Sequence, residues 1–140
     1  MKSRKFSAGW LIRLERGEEL VVSLIEFAKE NKIDSSWIQI LGAVSEIELG
    51  FYDLEDKSYK WTEFSELMEI NNCSGNLLKD ESGNLFAHLH GSFSNRNHQT
   101  IGGHIRKAIT AGTIEILVTN IGLDINRFID EQTGLKLIDL

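Results

Sequence analysis

The chain has 140 residues, 41% of them hydrophobic and 26% charged, and this composition predicts one globular domain over residues 1–140. Its formal net charge of −6 disfavours non-specific binding to nucleic acid, because such binding requires Lys and Arg to neutralise phosphates. No apolar run approaches the roughly 20 residues that span a bilayer, so we expect no membrane partner and a cytoplasmic location.

The first part of the chain predicts a strand, a turn and a helix. Phe6–Leu14 is apolar and aromatic, as is typical of a strand, and it ends before a turn at Gly17. From Glu18 the apolar residues recur with the period of a helix, with acidic residues first and lysines near the end, as the helix dipole favours. We expect the apolar stripe of this helix to pack on a sheet. The stripe consists of Leu20, Val21, Leu24, Ile25 and Ala28.

Strand patterns recur through the remainder of the chain, separated by glycine, asparagine and aspartate. The predicted strands are Trp37–Val44, Glu46–Tyr52, Ser58–Trp61, Leu67–Leu78, Leu85–Phe93, Thr100–Ile105, Thr113–Ile121 and Leu135–Leu140. A short second helix is predicted around Arg106–Ala111. The expected fold is therefore α+β, with a mostly antiparallel β-sheet and one main helix packed on it. The single cysteine, Cys73, is predicted to be a buried hydrophobe rather than a ligand.

Three of the four histidines lie in one short stretch of the chain. His88 and His90 have strand spacing, so their side chains project from one face about 7 Å apart. His104 follows fourteen residues after His90, directly behind two glycines. Because neutral imidazole binds zinc and other transition metals, a third ring from a neighbouring strand would complete a three-nitrogen site with one open position. The alternative is a polar sheet face that happens to contain histidines.

Residues around these histidines support the metal hypothesis in different degrees. Gly102 and Gly103 lack a Cβ, so they would let the backbone pass close to the other rings and adopt strained angles. Apolar residues alternate with His88 and His90, so the core does not need these two side chains. His98 lies in a polar loop, where exposure is expected, and a role as a fourth ligand is the less favoured alternative.

Two carboxylates are candidate partners of the site. Glu115 lies on the strand Thr113–Ile121, and Glu69 interrupts an apolar run. Either side chain could orient a ligating imidazole or act as a base on metal-bound water. The alternative is an ion pair, across strands or subunits, with an arginine such as Arg13 or Arg127. We favour the ion pair for Glu69 and leave both roles open for Glu115.

Several common catalytic templates do not occur in the sequence. It has no Gly-x-Ser-x-Gly elbow, no Gly-x-x-x-x-Gly-Lys-Ser/Thr phosphate loop, no Gly-x-Gly-x-x-Gly after a strand and no His-Glu-x-x-His. Hydrolases, nucleotide-driven enzymes and dinucleotide oxidoreductases of those types are therefore not supported.

An ordered set of segments resembles the plant-and-prokaryote conserved (PPC) domain family, in its prokaryotic single-domain form. The segments are Leu11–Leu20, Gly42–Val44, Glu66–Ile70, Ser74–Asn76, His88–His90, Gly102–Ile105 and Glu115. The resemblance implies an α+β domain that assembles as a homotrimer. It also implies a metal ion, usually taken as zinc, held by three histidines that match His88, His90 and His104. Asn71–Cys73 departs from the family, whose members tend to be more apolar there.

Two functions remain open at this stage. The first is a trimeric protein that binds zinc or another divalent transition metal, with the site open to water or a small-molecule ligand; whether it is an enzyme is not decided. The second is a DNA-binding or protein-binding regulatory module with structural histidines, favoured by the basic amino terminus. That basic cluster consists of Lys2, Arg4, Lys5, Arg13 and Arg16. DNA binding is disfavoured for two reasons. In plant members of the family the domain follows AT-hook segments, which bind the minor groove through an Arg-Gly-Arg-Pro core, and this chain has no proline. Its net charge is also negative.

Overall fold

Nine β-strands and one α-helix make up the protein, and the computed structural model describes all residues from 1 to 140. The elements in chain order are β1 (Lys2–Phe6), β2 (Gly9–Glu15), α1 (Leu20–Asn31), β3 (Ser35–Asp53), β4 (Ser58–Phe64), β5 (Met68–Asp80), β6 (Leu85–Ser94), β7 (Thr100–Asn120), β8 (Asn126–Ile129) and β9 (Lys136–Ile138). The predicted α+β architecture, with a largely antiparallel sheet and one main helix, is confirmed.

One sheet contains all nine strands, in the order β1-β2-β7-β3-β5-β8-β9, with β4 on β3 and β6 between β5 and β7. Every pairing is antiparallel except that of β5 with β8. Strands β3, β5, β6 and β7 each pair with two others of the four, so they form a closed ring. Irregularities in the register of β3 with β7 and with β5 let these long strands bend around the ring.

The core lies between α1 and the sheet. Of the predicted stripe, Leu20, Leu24 and Ala28 are buried and Val21 and Ile25 are partly buried. Phe27, which the predicted stripe did not include, is buried as well. The side chain of Glu19 caps the helix by accepting hydrogen bonds from the N–H groups of Val21 and Val22, and it also accepts one from Ala108 in β7. This carboxylate therefore fixes the start of the helix to the sheet.

Cys73 belongs to this core and is fully buried. Burial raises the pKa of its thiol to about 12, which keeps the thiol protonated at neutral pH. The prediction of a buried hydrophobe is confirmed.

The predicted second helix around Arg106–Ala111 is wrong, because these residues belong to β7. The cause is a bulge: Lys107 pairs with Glu48 and Ile105 pairs with Leu49, so Arg106 is an extra residue between the two pairs. A bulge shifts the alternation of apolar residues, which then imitates helical spacing over a few positions. The predictions also divided β3 and β7 into two strands each and missed β1 and β8. The only helix of the structure, α1, is too short and too polar to cross a membrane.

Candidate metal centre

The β6–β7 pairing places the three histidines together. His90 in β6 lies directly opposite His104 in β7, and His88 lies two residues further along the same face of β6. On the other side of β6, His88 faces Asn76 of β5. All three imidazoles therefore lie on strands of the closed sheet rather than on loops, and the backbone hydrogen bonds of β5, β6 and β7 fix their positions.

The ring nitrogens of the three histidines converge on one point. Nε2 of His88 lies 3.1 Å from Nε2 of His90, which lies 3.4 Å from Nδ1 of His104. One ligand nitrogen from each ring lies within 4.8 Å of the other two. A tetrahedral ion that holds nitrogens at about 2.0–2.1 Å separates each pair of them by about 3.3 Å. The measured separations therefore suit three nitrogens on one small cation, and this donor set fits zinc or a related transition metal.

Glycines allow the strands to approach each other at this site. A Cβ on Gly102 would lie 2.8 Å from the carbonyl oxygen of Gly91, and one on Gly103 would lie 3.0 Å from that of Gly50. The glycines therefore allow a close approach between strands, but the atoms nearest to them belong to neighbouring backbones and not, as expected, to the other two imidazole rings. The expected strained angles are wrong for both residues, because neither Gly102 nor Gly103 has a positive φ.

Aromatic side chains of β4 cover His104 on one side. The ring of Tyr59 lies 4.9 Å from that of His104, and the ring of Trp61 lies 5.9 Å from it, measured between centroids. Both aromatic rings fit over Gly50, where a Cβ would be 2.6 Å from the Trp61 ring. His104 is consequently only 7% exposed, and water has little access to its ring.

Arg127 from β8 contacts His88. Its Nη2 lies 2.9 Å from Nδ1 of His88 and donates a hydrogen bond to Oδ1 of Asn76 over 2.8 Å. Its Nη1 donates to the backbone carbonyl of Lys136. Arg127 itself is buried. Metal-binding histidines usually donate their second ring N–H to an acceptor, so a donor at this position is a distinctive feature of the site.

All three histidines are held in the neutral form. Burial lowers the pKa of His88 to about 4, with the charges of Arg127, His104 and His90 acting in the same direction. Burial, followed by the charges of His90 and Arg127, lowers the pKa of His104 to about 4. Partial burial also lowers the pKa of His90, although its side chain is the most exposed of the three. A neutral imidazole keeps one unprotonated nitrogen, so none of the three rings has to lose a positive charge before it binds a metal ion at neutral pH.

The remaining residues that the sequence proposed do not join the histidines. His98 is exposed in the turn between β6 and β7, at the far end of the hairpin. Glu115 lies exposed on β7, eleven residues from His104 and opposite Arg13 and Leu41 in the neighbouring strands. Glu69 is exposed on β5. Within one subunit, neither carboxylate is placed to act on a metal held by the histidines.

The suggested ion pairs of these carboxylates also differ from the structure. Arg13 forms its ion pair with Glu15 at 3.2 Å, although it lies opposite Glu115 in the sheet. Arg127 pairs with neither Glu69 nor Glu115, because it is directed into the core beside His88. Arg127, Tyr59 and Trp61 are the site residues that sequence reasoning missed. The spacing of Tyr59 and Trp61 in a predicted strand was the available signal, whereas β8 has only four residues and no clear pattern.

A cavity of about 710 Å³ opens beside His88. Its wall includes the aromatic rings of Tyr59, Trp61 and Phe86 together with the guanidinium of Arg127. The size is that of a typical small-molecule site. The three histidines therefore lie next to a space that could hold a ligand.

Comparison with known proteins identifies relatives of this chain. The chain is 34% identical to a metal-containing protein from Archaeoglobus fulgidus, with a TM-score of 0.84 over 98% of each chain. It is 27% identical to a plant- and prokaryote-conserved protein from Pyrococcus horikoshii, with a TM-score of 0.86 over 100% of this chain and 98% of that one.

A third structure, from Bacteroides thetaiotaomicron, is provisionally described as a DNA-binding protein. It is 29% identical, with a TM-score of 0.93 over 99% of this chain and 96% of that one. No curated protein sequence matches the chain significantly. Residues 1–122 match the Plants and Prokaryotes Conserved (PCC) domain, and the chain therefore belongs to this family, as the resemblance implied.

Proposed function

We propose that the protein binds one divalent transition-metal ion, zinc in the first instance, through His88, His90 and His104. The observation that carries this proposal is the convergence of three neutral ring nitrogens at separations suited to a single ion. The relative from Archaeoglobus fulgidus, which is described as metal-containing, supports it. Three protein ligands would leave a fourth position for water or a small-molecule ligand.

The chain's own residues would supply the surroundings of this ion. Tyr59 and Trp61 exclude water from the side of His104, while the cavity admits a ligand on the side of His88. A bound zinc ion would lower the pKa of a coordinated water towards about 7 and polarise an oxygen of a ligand. No Asp or Glu belongs to the cluster, so one subunit contains no carboxylate base at the site. We therefore propose binding of metal and ligand, and assign no reaction.

Metal analysis of protein purified without chelator tests this proposal. We expect about one ion per chain in the wild type and in His98→Ala, which removes an exposed histidine outside the site. His90→Ala should lose the ion, because its Nε2 is the nitrogen that contacts both of the other rings. Equal metal content in His90→Ala and the wild type would contradict the proposal.

We also propose that the protein forms a homotrimer through the outer face of β2, β7 and β3. Two adjacent rows of residues cross these strands: Leu11 beside Leu117, and Arg13, Glu115 and Leu41. Leu11 on β2 is 55% exposed and Leu41 on β3 is 57% exposed, and exposed leucines on the outer face of one sheet indicate a surface that a partner covers. A copy of the chain would cover this surface and give Glu115 a role at the interface.

DNA binding is a second candidate, favoured by the hairpin of β1 and β2. Every residue of β1 is exposed, and Arg4 and Lys5 have no carboxylate partner, whereas Lys2 and Arg13 both pair with Glu15. If this hairpin binds duplex DNA, affinity should fall steeply with salt and should weaken in the double variant Arg4→Gln/Lys5→Gln. Absence of binding at low salt would eliminate this candidate.

A further inference from the structure

The charged side chains that line the cavity beside His88 are all positive, although the protein as a whole is acidic. Three cationic side chains, Arg127, Lys57 and Lys136, lie in its wall, which contains no Asp or Glu. The chain as a whole has a net charge of −6. Positive charge is therefore concentrated at this cavity against the overall balance, and such a concentration attracts an anionic ligand.

Arg127 is the central cation of this wall, and it has no counter-ion. The side chain is only 3% exposed, and no ion pair of the structure includes it. Its hydrogen-bond acceptors are a carbonyl, an amide and an imidazole, all of them neutral. Its Nε–H is buried and has no acceptor at all. A buried charge of this kind is costly unless an anion compensates it.

The two lysines are compensated to different degrees. Lys136 forms an ion pair with Asp80 at 2.9 Å. Nζ of Lys57 donates to the backbone carbonyl of Glu131 over 2.8 Å and has no carboxylate partner. Arg127 and Lys57 are therefore the two cations of the cavity wall that have no carboxylate partner.

Five aromatic side chains, together with aliphatic and polar residues, line the rest of the wall. Tyr52, Tyr59 and Trp61 follow one another with ring centroids 4.9 and 4.7 Å apart, and the last two rings are stacked. Phe86 lies under the guanidinium of Arg127, with Cζ 5.5 Å from its centroid. Flat apolar surfaces beside a cation suit a ligand that combines a planar body with one negative group.

We propose that this cavity binds a small planar organic acid, with the carboxylate of the ligand paired to Arg127 and its planar body against the aromatic wall. A carboxylate matches the planar guanidinium and supplies the missing counter-ion. The site goes beyond the proposed metal centre and does not require a bound metal, because Arg127 and the aromatic rings would hold the acid directly. Bound at this position, the acid would lie next to His88 and hence next to a metal held there.

Nuclear magnetic resonance of chelator-treated protein tests the site with benzoate as the probe. Trp37 and Trp61 line the cavity, whereas Trp10 packs against Phe27 of α1 and serves as an internal control. Benzoate should shift the indole N–H signals of Trp37 and Trp61 in a saturable manner and leave that of Trp10 in place. Benzyl alcohol, which has a similar shape and no charge, should bind at least tenfold more weakly.

Variants separate the role of Arg127 from general electrostatics. Arg127→Gln should weaken benzoate binding at least tenfold, while Arg96→Gln, which removes an exposed arginine of the β6–β7 turn, should leave it unchanged. If Arg127→Gln does not fold, Lys57→Gln replaces it as a second variant at an exposed position, with a weakening of a fewfold expected. Equal binding of benzoate and benzyl alcohol by the wild type would overturn the proposal. Because metal-free protein is used, failure of the metal proposal would not affect this result.

Discussion

Nη2 of Arg127 lies 2.9 Å from Nδ1 of His88, and because a guanidinium can only donate, the histidine nitrogen accepts. A neutral imidazole has one accepting nitrogen, so the proton of His88 is on Nε2, the atom that faces His90 at 3.1 Å. For a metal ion to bind Nε2, this proton must leave or move to Nδ1. Arg127 therefore competes with a metal ion for His88, by its hydrogen bond and by its charge.

Removal of this competition should strengthen metal binding. In Arg127→Gln the positive charge beside His88 is gone and Nδ1 is free to carry the ring proton. We expect zinc affinity to rise by about tenfold or more, since one charge a few ångströms from a dication is worth more than about 1.4 kcal/mol at partly buried sites. Competition with a chromogenic chelator at pH 7.5 measures the change.

The control for this experiment is Arg96→Gln, which removes the same charge from the exposed turn between β6 and β7. Its zinc affinity should equal that of the wild type. Unchanged or weaker zinc binding by a folded Arg127→Gln variant would show that Arg127 supports His88 rather than competing with the metal.

The lowered pKa of His104 predicts a loss of stability in mild acid for the metal-free protein. Its pKa is about 4 in the folded state and about 6.5 in the unfolded chain, so between these values the unfolded state binds the proton more readily. The free energy of unfolding should therefore be constant above pH 7 and should fall as the pH drops. At pH 5 the loss from His104 alone amounts to about 2 kcal/mol, and His88, whose folded pKa is also about 4, contributes a loss of similar size.

Urea unfolding of chelator-treated protein at pH 7.5, 6 and 5 measures this dependence. The carboxylates with lowered pKa, such as Asp80 and Asp130, lose their contribution only below their own unfolded pKa near 4, so they do not interfere in this range. His104→Gln should reduce the pH dependence by about half, because His88 still contributes, and His98→Ala should leave it unchanged. An unaltered slope in His104→Gln would contradict the assignment to His104.

The proposed trimer predicts a specific effect of charge on the outer face of β3. Leu41→Asp would place a carboxylate next to Glu115 in the same row of the sheet, where a subunit interface could not accommodate both charges. We expect light scattering to give a trimer mass for the wild type and a monomer mass for Leu41→Asp.

Leu54→Asp is the matched control for this experiment. Leu54 is 62% exposed, like Leu41, but it lies in the turn between β3 and β4. This variant should remain trimeric. A monomeric wild type would refute the trimer directly.

Local patterns in the sequence were sufficient to predict that the three histidines converge, and insufficient to predict that Arg127 contacts His88. His88 and His90 have the period of two that any strand imposes, and the glycines before His104 indicate close strand packing, so the convergence of the three rings could be anticipated. Arg127 reaches His88 through β8, which joins β5 by only two residue pairs. A contact of this kind depends on the long-range path of the chain, which no short pattern encodes.

The error at Arg106–Ala111 has a similar origin. Bulges are fixed by the pairing of β7 with β3, and a single sequence shows only their local effect on apolar spacing. The same bulged region carries His104, so the feature that obscured the strand in the sequence is also part of the geometry of the site.

Gly102 provides a test of how closely the strands must approach for the histidines to converge. In Gly102→Ala the new Cβ would lie 2.8 Å from the carbonyl oxygen of Gly91, so β6 and β7 must separate at the position two residues before His104. We expect a loss of about 1–3 kcal/mol in stability, which is typical of overpacking, and weaker zinc binding as His104 moves away from His90. Gly112→Ala is the control in the same strand, because a Cβ there meets no atom within 4 Å. If both variants bind zinc as the wild type does, the close approach at Gly102 serves the packing of the strands and is not needed for the metal centre.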